Sequence, residues 1–175
     1  MTTSTSTAPR VASTGVGVAL AARIGRAVEL MSRIPHSLVA LIARFAIAGV
    51  FWRSGQTKVE GLSIDVVEGH FEFGWPGVTA SAVELFRDEY QLPLLPPELG
   101  ALMAATAEHV LPILLLIGLG TRFAALGLLM MAMVIQLFVY PGAWAVHGTW
   151  AAVLLWLMMR GAGVVSLDHF VRRGG

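Results

Sequence analysis

ELGALMAATAEHVLPILLLIG at residues 98–118, LGT at 119–121 and RFAALGLLMMAMVIQLFVY at 122–140 together decide the fold. The two long runs each approach the ~20 residues needed to cross ~30 Å of hydrocarbon. Charge within them is confined to Glu98, Glu108 and Arg122. In a bilayer such a run must be helical, because every backbone N–H and C=O has to be satisfied inside its own segment. The glycine-containing Leu119-Gly120-Thr121 is short enough only for a tight turn, so the helices return antiparallel.

Similar runs lie on both sides, Ser37 to Gln56 upstream and Gly148 to Ser166 downstream, the latter reached through Pro141 to His147. The expected fold is an all-α integral membrane protein, a four-transmembrane-helix up-down bundle. Composition agrees: 56% of the 175 residues are hydrophobic and 13% charged, where a soluble domain carries about 25% charged residues. The net charge of +1 and the lack of a basic run interleaved with aromatics argue against a nucleic-acid partner. With no cysteine, disulfides, thiol redox chemistry, iron–sulfur clusters and Cys-ligated zinc are excluded together. Any redox role needs a bound cofactor or a partner protein.

Residues 1–36 divide into a Ser/Thr-rich tail, expected to be disordered over 1–15, and an amphipathic helix over 16–34. The tail has no apolar core, so the first membrane helix is expected to act as its own insertion signal. At 100° per residue, Leu20, Ile24, Ala27, Val28, Met31 and Ile34 share one face, and Arg23, Arg26, Glu29 and Arg33 the other. Such a helix suits the inner leaflet; docking on a partner protein is the alternative. The membrane domain spans 37–166. Its one long connection, 57–97, is acidic and contains a short helix, Thr79 to Tyr90, capped by Thr79 or Ser81, followed by helix-stopping prolines at 93, 96 and 97. Residues 167–175 form the C-terminal tail.

Basic residues set the expected orientation. Arg10, Arg23, Arg26, Arg33, Arg122, Arg160, Arg172 and Arg173 fall on one side of the bundle. The 57–97 connection holds only Lys58 and Arg87 among many acids. Both termini are therefore expected in the cytoplasm and 57–97 outside it, in a bacterial-type inner (plasma) membrane.

Three stretches resemble the DoxX family of small four-helix membrane proteins: Ala43-Arg44-Phe45 through Phe51-Trp52-Arg53-Ser54-Gly55-Gln56-Thr57-Lys58; Phe86-Arg87-Asp88-Glu89-Tyr90-Gln91-Leu92-Pro93-Leu94-Leu95-Pro96-Pro97-Glu98; and Ala105-Thr106-Ala107-Glu108 with Gly120-Thr121-Arg122. The resemblance covers most of residues 40–165 and not the first 35. It implies the four-helix fold and a role as a subunit of a quinone- or quinol-linked oxidoreductase, with quinone as cofactor and a protein partner, or a second copy of the chain, beside it.

A charge inside hydrocarbon costs roughly 2.5–3.5 kcal/mol on insertion scales, so each one requires a reason. Arg44 and Glu108, counted from the same membrane face, differ in depth by only ~5 Å at 1.5 Å per residue, which predicts a direct ion pair. His109 adjoins it, and Pro112 leaves the Glu108 carbonyl without its helical donor. The functional reading makes Arg44, Glu108 and His109 a headgroup or proton-transfer site; the plain reading makes Arg44–Glu108 a structural ion pair. A second set, Arg53, Gln56, Lys58, Gln136 and His147, lies at the outer boundary beside Trp52, Tyr140 and Trp144. Arg53 and Lys58 could receive an anion there, pair with acids of the loop or snorkel to lipid phosphate. The scattered histidines at 36, 70, 109, 147 and 169 suggest no metal site. Two further functions stay open: a membrane scaffold or assembly protein, and a small lipid or solute transporter. The latter is weakened by the absence of internal repeats.

Overall fold

The computed structural model describes residues 14–65 and 69–174, so the expected tail lies almost wholly outside the described residues. The chain divides into two units, residues 1–35 and 36–175. The first holds α1 (Thr14–Ser32), with Leu20, Ile24, Val28 and Met31 exposed and Arg33 paired to Glu29 one turn back at 2.7 Å.

In the second unit four helices are long and apolar enough to cross a membrane: α2 (His36–Gln56), α4 (Pro97–Ile117), Thr121–Val139 and Pro141–Arg160. The third begins as α5 (Thr121–Val134) and continues to Val139 in wider, π-helical turns; the fourth is mainly α6 (Trp144–Arg160). α2 packs on α4, α4 on α5, α5 on α6 and α6 on α2, which closes an up-down ring. At its centre lie Ile47, Ala48, Phe51, Leu115, Leu128, Leu154 and Leu157. The outer surface is as apolar as the core, with Ile42, Phe45, Met103, Phe123, Leu137 and Met159 exposed. Water would not tolerate such a surface, and a bilayer requires it.

Small residues set the helix spacing. Ala40, Ala48, Ala101, Ala105, Ala124, Ala125 and Ala132 are all buried, as close helix approach in a membrane demands. Ala46 and Gly49, also on α2, face outward.

The connection between α2 and α4 differs from expectation. It is not solely helical: β1 (Val59–Asp65) and β2 (His70–Val78) pair antiparallel, with Asp65 opposite His70. The register slips between Glu60 and Leu62, where Gly61 takes φ +78° and would place a Cβ 2.5 Å from the Trp75 carbonyl oxygen. Only glycine fits that bulge. Thr79 then caps α3 (Ala80–Glu84), its Oγ1 accepting from Ala82 N–H at 3.1 Å, and helical turns continue through Tyr90. Phe86 of this segment packs with Ala82 and Ala101 in a second small core over α4.

The fourth helix also differs from the expected 148–166. It begins earlier, so His147 is helical, and stops at Arg160 because Gly161 (φ +77°) and Gly163 (φ +81°) turn the chain away. Residues 167–174, expected as a tail, form a further helix, α7 (Leu167–Gly174). We call the two ends of the bundle the hairpin end and the turn end, the latter carrying the α4–α5 turn and α7.

Candidate functional site

α2 and α4 run antiparallel in a register that puts Gly55 against Glu108 and His109; a Cβ at Gly55 would lie 3.0 Å from Glu108 Cβ and 2.9 Å from the His109 ring. The absent side chain lets Glu108 meet the end of α2. Lys58 Nζ donates to Glu108 Oε2 at 2.8 Å, and both side chains are only 3% exposed. Lys58 also donates to the carbonyl and hydroxyl oxygens of Ser54, at 3.2 and 3.0 Å, and the Ser54 hydroxyl donates to Glu108 Oε1 at 3.1 Å. All three ammonium hydrogens and both carboxylate oxygens are thus engaged, the condition under which a buried ion pair is tolerated.

His109 belongs to a neighbouring network. The Ile64 N–H donates to Gln56 Oε1 at 2.6 Å, which orients the amide so that Gln56 Nε2 faces His109 Nε2 at 2.8 Å. His109 Nδ1 lies 2.7 Å from the Ala105 carbonyl oxygen. A carbonyl only accepts, so the ring proton sits on Nδ1 and Nε2 accepts from Gln56. Trp52 adds an indole N–H to the Ile64 carbonyl at 3.3 Å and an edge contact with the His109 ring at 5.0 Å. Gln56, Trp52 and His109 therefore fasten the hairpin to the bundle.

Glu108 also lines a cavity of about 220 Å³ between α4, the α5 extension and the 85–95 segment. The remaining lining is nearly all apolar: Phe86, Leu92, Leu95, Met103, Met131 and Ile135 among others, with Tyr90 as its second ionisable residue. Burial, then the negative charge of Glu108, pushes the Tyr90 phenol above its ordinary range. Next to it, Tyr140 donates its hydroxyl to Glu89, a bond that together with burial moves its pKa up to about 12. The rings of Tyr90 and Tyr140 meet edge to face at 6.1 Å, so the π-helical ends of two segments are joined beside the cavity.

The expected Arg44–Glu108 pair does not form. Arg44 lies against the opposite end of α4: its Nη2 donates to the Val165 carbonyl at 2.8 Å, and a Cβ on Gly118 would lie 2.3 Å from its Nη1. Ten residues of α4 separate Gly118 from Glu108, about 15 Å of helix. Counting from the helix ends predicts depths within ~5 Å of each other, but α4 starts well beyond the end of α2 and the register is displaced accordingly. Arg44 is 1% exposed, and among the described residues its Nε and Nη1 have no hydrogen-bond partner, nor does Thr121 Oγ1. Asp168 of α7 contributes the opposing charge nearby. Its oxygens accept from Gly120 N–H at 2.7 Å and Thr121 N–H at 3.0 Å, closing the N-terminus of α5.

A family comparison now bears on these residues: the DoxX model matches residues 39–141, more than half of the 175-residue chain. The chain belongs to the DoxX family. The matched range takes in Arg44, Ser54, Lys58, Glu108 and the whole cavity, and ends before α6. No curated protein and no solved structure matches this DoxX chain.

The expected outer-boundary set of the DoxX chain is dispersed. Lys58 and Gln56 join the networks above. Gln136 donates to the Pro141 carbonyl at 2.7 Å and accepts from His147 Nδ1 at 2.8 Å, which ties the α5 extension to α6. Arg53 is exposed and forms no ion pair among the described residues. Among those residues there is also no group of three or more His, Asp or Glu suited to a metal. Ser54 and Tyr90 stand within the family-like stretches but not among the site residues expected from the sequence. Ser54 carried a usable signal, because i and i+4 spacing from Lys58 places both on one face; no spacing linked Tyr90 to Glu108.

Proposed function

We propose that this DoxX protein is a membrane subunit of a quinone-linked oxidoreductase system, with the quinone ring in the cavity beside Glu108 and Tyr90. The observation that carries this reading is an apolar chamber of about 220 Å³ whose wall holds one buried carboxylate. The donor set suits the ligand. A quinone is an apolar ring with two carbonyl acceptors; Tyr90 offers a hydroxyl, and Met103, Met131 and Phe86 offer adaptable apolar contact. A bound quinone would supply the two-electron chemistry. The chain itself would exclude water, orient the ring through Tyr90 and hold a charge-balanced carboxylate next to it. Electrons would pass to or from a partner protein.

The test is quinone content of the protein purified in mild detergent, beside Tyr90→Phe and Ala107→Phe. Ala107 lines the cavity, so a phenyl ring there fills it. Near-stoichiometric quinone, lowered several-fold by Tyr90→Phe and absent in Ala107→Phe, is the expected result. Equal quinone in all three forms would remove the site. A quinone-free protein that retains one partner polypeptide at fixed stoichiometry would favour the scaffold reading, to which the exposed Phe71, Phe73 and Trp75 of β2 lend support.

We further propose that the turn end faces the cytoplasm and that α1 is an interfacial amphipathic helix. Arg122, Arg160, Arg172 and Arg173 cluster at the turn end, whereas Glu60, Asp65, Glu72, Asp88 and Glu89 gather at the hairpin end. The cysteine-free sequence makes the check simple. A single cysteine placed at Ser63 should react with an impermeant maleimide added outside intact cells, and one at Gly175 only after lysis; the reverse pattern would invert the topology.

A further inference from the structure

At the turn end, a second cavity of about 230 Å³ lies between the start of α5, Gly161 and α7. Two arginines line it, one from each side: Arg122 of α5 and Arg172 of α7. Neither forms an ion pair at contact distance with a carboxylate among the described residues. Arg122 is exposed and makes one long contact, 3.4 Å, to the Met159 carbonyl. Arg172 donates no hydrogen bond among the described residues, although its charge reaches Asp168. Asp168, the acid in the same wall, is already occupied by the N–H groups of Gly120 and Thr121. Burial works to raise its pKa, but those two N–H donors and the charge of Arg172 outweigh it and hold the carboxyl below the usual range.

The rest of the surroundings is apolar and uncovered. Phe123 and Val171 line the cavity and are among the most exposed large apolar side chains of the bundle. In α7, Leu167, Phe170 and Val171 share one face at 100° per residue, with Asp168, Arg172 and Arg173 on the other. A short helix of this pattern at the end of a membrane bundle sits where headgroups meet acyl chains.

We propose that this cavity binds the headgroup of an anionic phospholipid, with Arg122 and Arg172 on the phosphodiester and Phe123 and Val171 along the acyl chains. Among the lining residues two cations stand beside one carboxylate that is already engaged, a setting that favours an anionic group such as a phosphodiester. Inorganic phosphate brings nothing to cover the aromatic and aliphatic rim. A zwitterionic lipid carries its own cation into a site that already has two.

The experiment is lipid retention by the full chain in mild detergent, read by native mass spectrometry with phosphatidylglycerol and phosphatidylcholine as paired probes. Phosphatidylglycerol should be retained about tenfold or more over phosphatidylcholine, in keeping with the contribution of each basic side chain at an anionic headgroup. Arg122→Gln with Arg172→Gln, which removes both charges but keeps polar side chains, should abolish that preference without moving the thermal midpoint measured in lipid-free detergent. Arg122→Lys with Arg172→Lys should keep most of it. An unchanged preference in the double Gln variant would overturn the site. Displacement of the lipid by an equal concentration of inorganic phosphate would overturn the lipid as its ligand. Neither result bears on the quinone cavity, which lies at the other end of the bundle.

Discussion

Replacing Lys58 with methionine should destabilise the protein by about 3–5 kcal/mol, the cost of leaving one member of a buried ion pair without its partner. Glu108 would keep only the Ser54 hydroxyl at 3.1 Å, in an environment where its side chain is 3% exposed. Glu108→Leu alone should cost a similar amount, because the ammonium of Lys58 would then face only the two Ser54 oxygens. The double variant Lys58→Met, Glu108→Leu removes both charges and should recover most of the loss, since well-packed apolar replacements of buried pairs are often neutral or better. Equilibrium unfolding in detergent micelles measures all three. If Lys58→Met were as stable as the parent chain, the pair would not exist in solution, and the carboxylate beside the cavity would have to be balanced in some other way. The comparison also separates stability from ligand binding: the quinone test relies on Tyr90 and Ala107, neither of which belongs to the pair.

Gly118→Ala should cost about 3 kcal/mol or more, and Gly120→Ala only about 1 kcal/mol, although both glycines close the same turn. Each has positive φ, +70° and +57°, so each replacement bears the left-handed penalty of roughly 1–2 kcal/mol. Their surroundings differ. A Cβ at Gly120 meets nothing within 4 Å, whereas at Gly118 it would lie 2.3 Å from Arg44 Nη1 and 2.5 Å from Ser166 Cβ. The guanidinium would have to move, and its bond to the Val165 carbonyl would break. Chain breathing at 161–168 should then rise in hydrogen exchange for Gly118→Ala and stay unchanged for Gly120→Ala. Equal losses for both variants would mean that Arg44 is not seated under the turn.

These two experiments test the same geometrical fact from its two ends. One register of α2 against α4 puts Gly55 beside Glu108 and Arg44 beside Gly118. Sliding one helix by a turn, ~5.4 Å, would break both arrangements.

What the sequence determined by itself is the part that depends on local demands. A bilayer asks each crossing segment for about twenty apolar residues and self-contained backbone hydrogen bonds, so the four spans and the turn at Leu119-Gly120-Thr121 follow without knowledge of any neighbour. Thr79 as a cap and the end of helical structure before Pro93 are local in the same sense. The hairpin was partly legible: Phe71, Phe73 and Trp75 alternate with Glu72 and Gly74, and Gly69 supplies a turn residue with φ +70°. Its partner strand carries glycine at the bulge and a weaker alternation, which hid the pairing. The end of α6 depended on two glycines whose positive φ values a sequence cannot display.

The tertiary structure alone decided which cation Glu108 meets. Arg44 and Lys58 both lie on or next to α2, and the choice between them is a matter of helix register, which is fixed by packing at Gly55, Gly118 and the buried alanines summed over the whole interface. Long-range packing likewise made the cavity, since Phe86, Tyr90, Met103 and Ile135 come from three segments that share no pattern in the sequence. Composition shows that a charge is buried and must have a partner; only the packed bundle shows which one.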